Sequence, residues 1–339
     1  MVLTIIAVVF VFGLLVFVHE LGHFLTAKAV GMRVDEFAIG FGPKIISRQR
    51  GETVYSLRAV PLGGFNKIAG MDPDEEQDEK SFYAKSVGAR MFVIVAGSVM
   101  NFLLPVILFF AVFMLSGIDT PSQEPVIGSI MQDRPAASAG LLAGDKVVAV
   151  DGQGIESWPQ FVEIIQKSAD KNVVIEVARG GTAQKISVMP EFDATAQRGI
   201  IGVTPLVEKY QPGVFEAMGL GAKYTYVVLV KMVDALAEMV TGRAAADIAG
   251  PIGIMKMTGE AAQNGLAPLL QFAAFLSINL GLINLLPIPA LDGGHIIVLG
   301  IEAIRGKQLN KRYLEIVHGI GFVLLILLMI VATFKDITR

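Results

Sequence analysis

The chain has 339 residues, of which 53% are hydrophobic and only 17% are charged, and its mean hydropathy is +0.60. An average soluble domain carries about 25% charged residues, so this composition indicates a membrane protein. The 28 basic and 31 acidic residues nearly balance, which gives no reason to expect nucleic acid as a partner. Because there is no cysteine, disulfides and thiolate zinc sites are excluded, and any metal must be held by histidine and carboxylate.

Four segments are long and apolar enough to cross a bilayer, which takes about 20 mostly apolar residues. We assign them, in chain order, to residues 1–27, 91–118, 263–295 and 316–334. The first lacks the basic start and the cleavage pattern of a signal peptide, so it is predicted to be a retained helix. The third is interrupted near its end by Pro287 and Pro289.

The connections between these spans differ in character. Residues 28–90 contain short β-branched and aromatic runs bounded by Gly and Pro, which predict a membrane-associated β-hairpin. Residues 125–206 have soluble composition and predict an inserted α+β domain. Residues 213–260 are predicted to form an amphipathic segment at the membrane interface.

The short connection before the last span suggests an orientation. Its basic residues mark the cytoplasmic side of a membrane protein, and they are Arg305, Lys307, Lys311 and Arg312. The loop at residues 28–90 is then also cytoplasmic. The N-terminus, the inserted domain and the C-terminus are predicted to be extracytoplasmic.

The end of the first span carries His19-Glu20-Leu21-Gly22-His23, an H-E-x-x-H motif. Residues four apart share one face of a helix, so both imidazoles can bind one zinc ion. Glu20 is placed to take a proton from the attacking water. Two core histidines that happen to fall four apart are the alternative, but the Glu in the required place and the position at the end of an uncharged run favour a functional site.

A catalytic zinc needs a third protein ligand. Asp292 follows the broken stretch after Asn284, at the end of the third span. Irregular backbone at membrane depth is tolerated where protein buries it or where it lines a wet cavity. A helix cap at the membrane surface is the other interpretation of Asp292. The H-E-x-x-H motif favours Asp292 as the ligand, with His295 as the second choice.

Together these motifs resemble the site-2 protease family, which pairs H-E-x-x-H in a first transmembrane helix with N-x-x-P-x-P-x-L-D-G in a third. Its bacterial branch includes regulatory proteases that cleave anti-sigma factors. Gly97-Ser98-Val99-Met100-Asn101 resembles the family's G-x-x-x-N motif, and we interpret Asn101 as a helix-packing residue. Pro61-Leu62-Gly63-Gly64-Phe65 resembles its β-segment. The segment Gly250-Pro251-Ile252-Gly253 also resembles a family segment, but the sequence suggests no physical role for it.

The resemblance implies one zinc ion per chain, on His19, His23 and Asp292, with Glu20 as the general base. It also implies that Asn284 helps to hold the substrate backbone. A helical substrate must be unwound before cleavage, and extended peptide can regain its hydrogen bonds by adding to a free strand edge. The predicted edge consists of Val54, Tyr55, Ser56, Leu57 and Arg58.

The inserted domain resembles a PDZ domain of the bacterial protease type, and we call it the PDZ-like domain. The resemblance rests on Pro135-Ala136-Ala137-Ser138-Ala139-Gly140-Leu141, Ala143-Gly144-Asp145-Lys146-Val147 and Asp151-Gly152. Only one such domain fits, whereas some family members carry two. It is predicted to bind a peptide terminus or to exclude bulky ectodomains, and we favour the second role because no loop that anchors a terminal carboxylate is evident.

The predicted fold is a polytopic α-helical membrane protein with about four transmembrane helices, a membrane-associated β-hairpin and one inserted α+β PDZ-like domain. The predicted function is that of a zinc-dependent intramembrane endopeptidase of the bacterial cell membrane, surrounded by lipid. Its substrates are single-span membrane proteins, either anti-sigma factors or remnant signal peptides. A membrane zinc transporter would need more intramembrane carboxylates, and a catalytically silent PDZ-bearing scaffold would show a damaged metal motif.

Overall fold

The computed structural model describes residues 1–71, 75–194, 197–243 and 249–338. Its helices are, in chain order, α1 Val2–Ala29, α2 Val87–Ser116, α3 Pro135–Ala139, α4 Trp158–Lys167, α5 Val214–Val240, α6 Pro251–Gln263, α7 Leu266–Leu285, α8 Asp292–Arg305 and α9 Lys311–Thr338. Its strands are β1 Val34–Arg50, β2 Thr53–Ile68, β3 Ile118–Pro121, β4 Ile127–Ile130, β5 Lys146–Val150, β6 Gln153–Gly154, β7 Val173–Arg179, β8 Thr182–Val188, β9 Glu191–Asp193, β10 Arg198–Ile200, β11 Val203–Pro205 and β12 Val207–Tyr210.

The chain divides into two compact units. One combines Met1–Ser116 with Gly213–Arg339, and the other, Gly117–Pro212, is the PDZ-like domain with its flanking strands. Among the described residues, four helices of the first unit are long and apolar enough to cross a membrane: α1, α2, α7 and the residues Gly319–Thr338 of α9. The predicted class, a multi-pass helical membrane protein with one inserted α+β domain, is confirmed. It also has the predicted β-structure after α1, which consists of β1 and β2 and is called the β-region below.

The first unit is organised around α2, which packs against α1 and α7. The helical backbone of these segments makes its hydrogen bonds internally, as a bilayer demands, and their apolar side chains suit a lipid environment. Pro105 lies inside α2, and a proline within a membrane helix is tolerated where neighbouring helices pack around it. Amphipathic α5 also packs against α2. Within the predicted interfacial segment, residues 244–248 lie outside the described residues.

The two long strands β1 and β2 fold back on each other in two registers. Residues 36–39 of β1 face residues 64–67 of β2, and the same residues also face residues 54–57. Residues 54–57 face residues 46–49 on their other side. The prediction of a free edge is therefore wrong for residues 54–57, which have strand neighbours on both sides, whereas Arg58 pairs with Lys44. Within the described part of the chain, residues 64–68 pair with the first half of β1 alone.

The third span ends at a sharp break between α7 and α8. Proline cannot continue the hydrogen-bond ladder, so α7 stops at Leu285, and Ala290 has a φ of 75° in the turn that follows. The next helix begins at Asp292. A Cβ atom at Gly293 would lie 2.6 Å from the carbonyl oxygen of Leu285, so glycine allows the new helix to start tightly against the end of the old one.

The segment Gly250-Pro251-Ile252-Gly253, for which the sequence suggested no role, begins α6. Asp336 of α9 accepts hydrogen bonds from the backbone N–H groups of Gly250 and Gly253, at 2.9 and 2.8 Å. A carboxylate is favoured at a helix N-terminus, where backbone N–H groups lack partners within the helix. This contact joins α6 to the last span.

The PDZ-like domain has its own hydrophobic core. Strands β5 to β8 form a four-stranded sheet in the order β6-β5-β7-β8, and the amphipathic α4 buries Phe161 and Ile165 against the core. A cavity of about 370 Å³ lies between α4 and the residues 199–203, with Trp158, Phe161 and Val162 among its lining.

Candidate metal centre

Two side chains of α1 meet a third from a distant part of the sequence at the junction of α1 and α8. The Nε2 atoms of His19 and His23 lie 3.2 Å apart. Oδ2 of Asp292 lies 3.4 Å from Nε2 of His19 and 3.5 Å from Nε2 of His23. Both histidines are buried, because they lie on the face of α1 that packs against α2.

The cluster has the donor set and the spacing that a zinc ion requires. Nitrogen and oxygen ligands about 2.0–2.1 Å from a tetrahedral zinc lie roughly 3.3–3.4 Å from one another. The three measured separations, 3.2, 3.4 and 3.5 Å, match that value. Oδ2 of Asp292 is buried and has no hydrogen-bond partner within the described ranges, so a cation would satisfy it. The residues present therefore fit zinc.

Helix α2 supplies the outer contacts of both rings. Nδ1 of His23 donates to the carbonyl oxygen of Val93 at 2.8 Å, which leaves the Nε2 lone pair directed into the cluster. Nδ1 of His19 lies 3.1 Å from the amide group of Asn101. Asn101 is thus more than the packing residue that the sequence suggested.

Glycine 97 makes room for the two imidazoles. A Cβ atom at this position would lie 2.6 Å from Cε1 of His23 and 2.7 Å from Cε1 of His19. Real Cβ atoms do not approach so closely, so only glycine lets α2 pass directly beside both rings. The first position of the G-x-x-x-N motif therefore has a steric reason, and the last position contacts a ring nitrogen.

Glu20 is held by a residue of the β-region. Nδ2 of Asn66, in β2, donates to both the backbone carbonyl oxygen and Oε2 of Glu20, at 2.7 Å each. Gly64 lies beside the same side chain, since a Cβ atom there would be 3.2 Å from Cγ of Glu20. The β-region therefore reaches the carboxylate next to the metal cluster. Sequence reasoning missed Asn66, because no local pattern links it to a residue 46 positions away.

The other residues that the sequence predicts for the site do not belong to the cluster of three ligands. Asn284 is buried in the last turn of α7, before the break that leads to Asp292. His295 lies in the first turn of α8, and it is not one of the three residues that converge. Residues 54–57 lie inside the β-region rather than at its edge. A substrate-binding role for Asn284 and for residues 54–58 stays a prediction.

Comparisons with known proteins agree with this site. The sequence profile of Peptidase family M50 matches residues 7–328. The zinc metalloprotease RasP of Geobacillus kaustophilus is 34% identical, and the alignment covers 99% of this chain and 98% of that protein. The regulator of sigma-W protease RasP of Bacillus subtilis is 35% identical, with 99% and 98% covered.

The PDZ domain of an SdrC-like protein from Listeria monocytogenes is a similar solved structure. It is 24% identical, it covers 26% of this chain and 93% of its own, and its TM-score is 0.22. The family match and the full-length relatives extend over both units of the chain. The protein belongs to Peptidase family M50 and is a multi-pass membrane zinc metalloendopeptidase.

Proposed function

We propose that the protein is an intramembrane endopeptidase that binds one zinc ion per chain through His19, His23 and Asp292. The observation that carries this proposal is the convergence of the three ligand atoms within 4.8 Å of one another, with both histidines on α1, a helix apolar enough to span a membrane. A transporter would have no need for Glu20 beside the cluster, held by Asn66.

The chain's own groups perform the remaining chemistry. When bound, zinc supplies Lewis acidity toward the scissile carbonyl and the attacking water. Glu20 takes the proton of that water at its carboxylate and passes it to the leaving amine. Asn66 fixes the Glu20 carboxylate, and Asn284 donates a hydrogen bond to the substrate backbone. The protein surrounding the buried histidines limits access of bulk water, which strengthens these electrostatic interactions.

Glu20→Gln separates the base from the metal site. The variant should keep its zinc, because Glu20 is not a ligand, and cleavage of a model transmembrane substrate should fall by about 10²–10⁴-fold. Near-normal turnover in this variant would remove Glu20 from the mechanism. Loss of zinc would instead make Glu20 a ligand.

The substrates are proposed to be single-span proteins of a bacterial cell membrane, either anti-sigma factors or remnant signal peptides. The support is the apolar surroundings of the cluster and the B. subtilis relative, which is described as a regulator of sigma-W protease. Membranes with intact protein and with the Glu20→Gln variant should differ in a small membrane protein that accumulates only with the variant. The same set of membrane proteins in both would refute this substrate class.

We propose that an unwound substrate adds to the edge formed by residues 64–68. This edge has one strand neighbour in the described chain, and it carries Asn66 beside Glu20. The chain has no cysteine, so single cysteines report cleanly on proximity. In the Glu20→Gln background, Phe65→Cys should form disulfides with a cysteine near the scissile bond, and Tyr55→Cys should not. The opposite result would restore residues 54–58 as the binding strand.

The loop at residues 28–90 and the α8–α9 connection are proposed to face the cytoplasm, with both termini and the PDZ-like domain outside. Gln308, between α8 and α9, donates to the carbonyl oxygen of Tyr83, so the two loops lie at the same end of the first unit. In intact cells, a membrane-impermeant maleimide should label Lys185→Cys in the PDZ-like domain and leave Lys307→Cys unlabelled. The reverse labelling pattern would invert this topology.

The cavity of the PDZ-like domain supports peptide binding rather than exclusion alone. Apolar side chains of α4 line one wall, and residues 199–203 line the other, which suits an extended peptide with an apolar side chain. Trp158→Ala and Phe161→Ala would disturb the core, so Val162→Glu at the partly buried cavity wall is the better test. It should weaken cleavage of trimmed substrates. Unchanged cleavage of these, with new cleavage of untrimmed substrates, would identify a gate.

A further inference from the structure

Asn101 is a fully buried side chain with an incomplete set of hydrogen bonds. Its exposed fraction is 0%, and its Nδ2 atom lies 3.1 Å from Nδ1 of His19. Its Oδ1 atom is buried and has no hydrogen-bond partner among the residues that the structure describes. An unpaired buried amide oxygen destabilises a protein, so a residue that only packs would better be Leu.

The protonation of a zinc-ligating histidine decides how this amide must point. A ring that binds zinc through Nε2 carries its proton on Nδ1 and must donate it. An amide nitrogen opposite Nδ1 would then set two donors against each other. Rotation of the Asn101 amide by 180° exchanges its nitrogen and oxygen, which have nearly the same shape, and places an acceptor opposite Nδ1.

We propose that Asn101 is a positioning residue that accepts the Nδ1 proton of His19 and so keeps Nε2 free for zinc. This inference rests on the zinc site proposed above. On the other ring, Nδ1 of His23 donates to the carbonyl oxygen of Val93, which is also in α2. One helix therefore fixes the tautomers of both imidazoles, with a backbone carbonyl for His23 and a side-chain amide for His19.

The placement of Asn101 is itself fixed by α7. The backbone carbonyl oxygen of Asn101 accepts a hydrogen bond from Oγ of Ser277 at 2.8 Å. A Cβ atom at Gly281 would lie 3.2 Å from Cβ of Asn101, so the two helices are in close contact here. A competing acceptor for the ring is the backbone carbonyl of Gly97, which lies one turn before Asn101 in α2 and beside the His19 ring.

The zinc affinity of the full-length protein, measured by competition with a chelator, tests this role. Asn101→Leu removes the acceptor and keeps the volume, so zinc affinity should fall about 10- to 100-fold. Asn101→Asp keeps an acceptor and should bind zinc at least as tightly as the unmodified protein. Ser98→Ala is the matched control, because Ser98 Oγ is also buried in α2 without a described partner, and its loss should leave zinc affinity unchanged.

The outcomes separate this inference from the zinc site. If Asn101→Leu retained its zinc affinity while His19→Ala lost zinc, the role of Asn101 would be overturned. The Gly97 carbonyl would then be the acceptor of the Nδ1 proton. A loss of affinity in Asn101→Asp as large as in Asn101→Leu would likewise leave only a packing role. Full zinc binding by His19→Ala would refute the zinc site itself. The absorption spectrum of the Co²⁺-loaded protein should change in Asn101→Leu and stay unchanged in Ser98→Ala.

Discussion

Asn66 donates two hydrogen bonds of 2.7 Å to Glu20, one to its backbone carbonyl oxygen and one to Oε2. A single amide group thereby fixes both the helix backbone and the carboxylate of the proposed base. Because Asn66 belongs to β2, the β-region and α1 are joined at the proposed base. Substrate that adds to this strand would then lie next to a base that is already oriented.

Asn66→Leu should lower kcat about 10- to 100-fold, because a hydrogen bond to a charged group contributes about 1.5–3 kcal/mol. Zinc content should stay unchanged, since Asn66 contacts no proposed ligand, and KM should change less than kcat. Arg48→Gln, an exposed change in β1 away from residues 64–68, is the control and should have nearly normal kcat. Equal losses in both variants would mean that the β-region as a whole, rather than the Asn66 amide, matters.

Gly97→Ala should abolish zinc binding without unfolding the protein. The added methyl group would lie 2.7 Å from Cε1 of His19 and would force the rings out of position. Zinc per chain, measured by atomic emission, and helical content by circular dichroism would report the two effects. Gly88→Ala, also in α2, is the matched control, because a methyl group there has no described atom within 4 Å. Zinc retained in Gly97→Ala would mean that the rings can move aside.

Local patterns revealed the motif residues of the cluster, whereas the supporting contacts depend on tertiary structure. His19 and His23 are four residues apart on one helix, so helical geometry alone places them together. Asp292 could be suspected because two Pro interrupt the span just before it and two Gly follow it. Nothing local indicates that Asn66 reaches Glu20, or that residues 36–39 lie between two parts of β2. That strand order is why the free edge was assigned to the wrong residues.

Asp292→Ala should reduce zinc affinity by at least about tenfold, because it removes the third donor of a site that needs three protein ligands. His295→Ala, in the same first turn of α8, should keep its zinc, since His295 is outside the converging set. Zinc content after dialysis against a weak chelator would distinguish the two. If His295→Ala lost zinc and Asp292→Ala kept it, the ligand assignment would be reversed.

A buried ion pair links α2 to the helix that carries Asp292. Nη1 of Arg90 lies 2.7 Å from Oε2 of Glu302, and the two side chains are 4% and 1% exposed. Glu302 also accepts from the backbone N–H of Leu309 at 3.0 Å. Removal of one partner leaves a buried charge, which destabilises a protein by about 3–5 kcal/mol.

Arg90→Met should therefore lower the Tm in detergent and weaken zinc binding, because α8 begins at Asp292 and ends near Glu302. The double variant Arg90→Met with Glu302→Leu should regain part of the lost stability, since no charge is left unpaired. Arg305→Gln, an exposed change on the same helix, is the control. A single variant as stable as the unmodified protein would show that the pair contributes nothing to the anchoring of α8.

Glu36 makes the β-region sensitive to acid. Burial by itself would raise the pKa of Glu36, but hydrogen bonds from Ser56, Arg58 and Lys44 outweigh it and lower the pKa from 4.5 to about 2. Oγ of Ser56 donates at 2.6 Å and Nη2 of Arg58 at 2.8 Å. Because the pKa is lower in the folded state, the stabilisation is fully present above pH 4.5 and is lost as the pH falls toward about 2.

Glu36→Gln should therefore be less stable than the unmodified protein at neutral pH, by an amount on the order of 1 kcal/mol after solvent screening. The difference in Tm between the two proteins should shrink as the pH is lowered from about 5 to about 3, because the unfolded chain binds a proton at this carboxylate below its ordinary pKa of 4.5, whereas the folded protein, with a pKa of about 2, does not. Glu76→Gln, at an exposed position, should change the Tm little at any pH in this range. A Tm difference for Glu36→Gln that stays constant with pH would show that the ionised carboxylate does not stabilise the β-region.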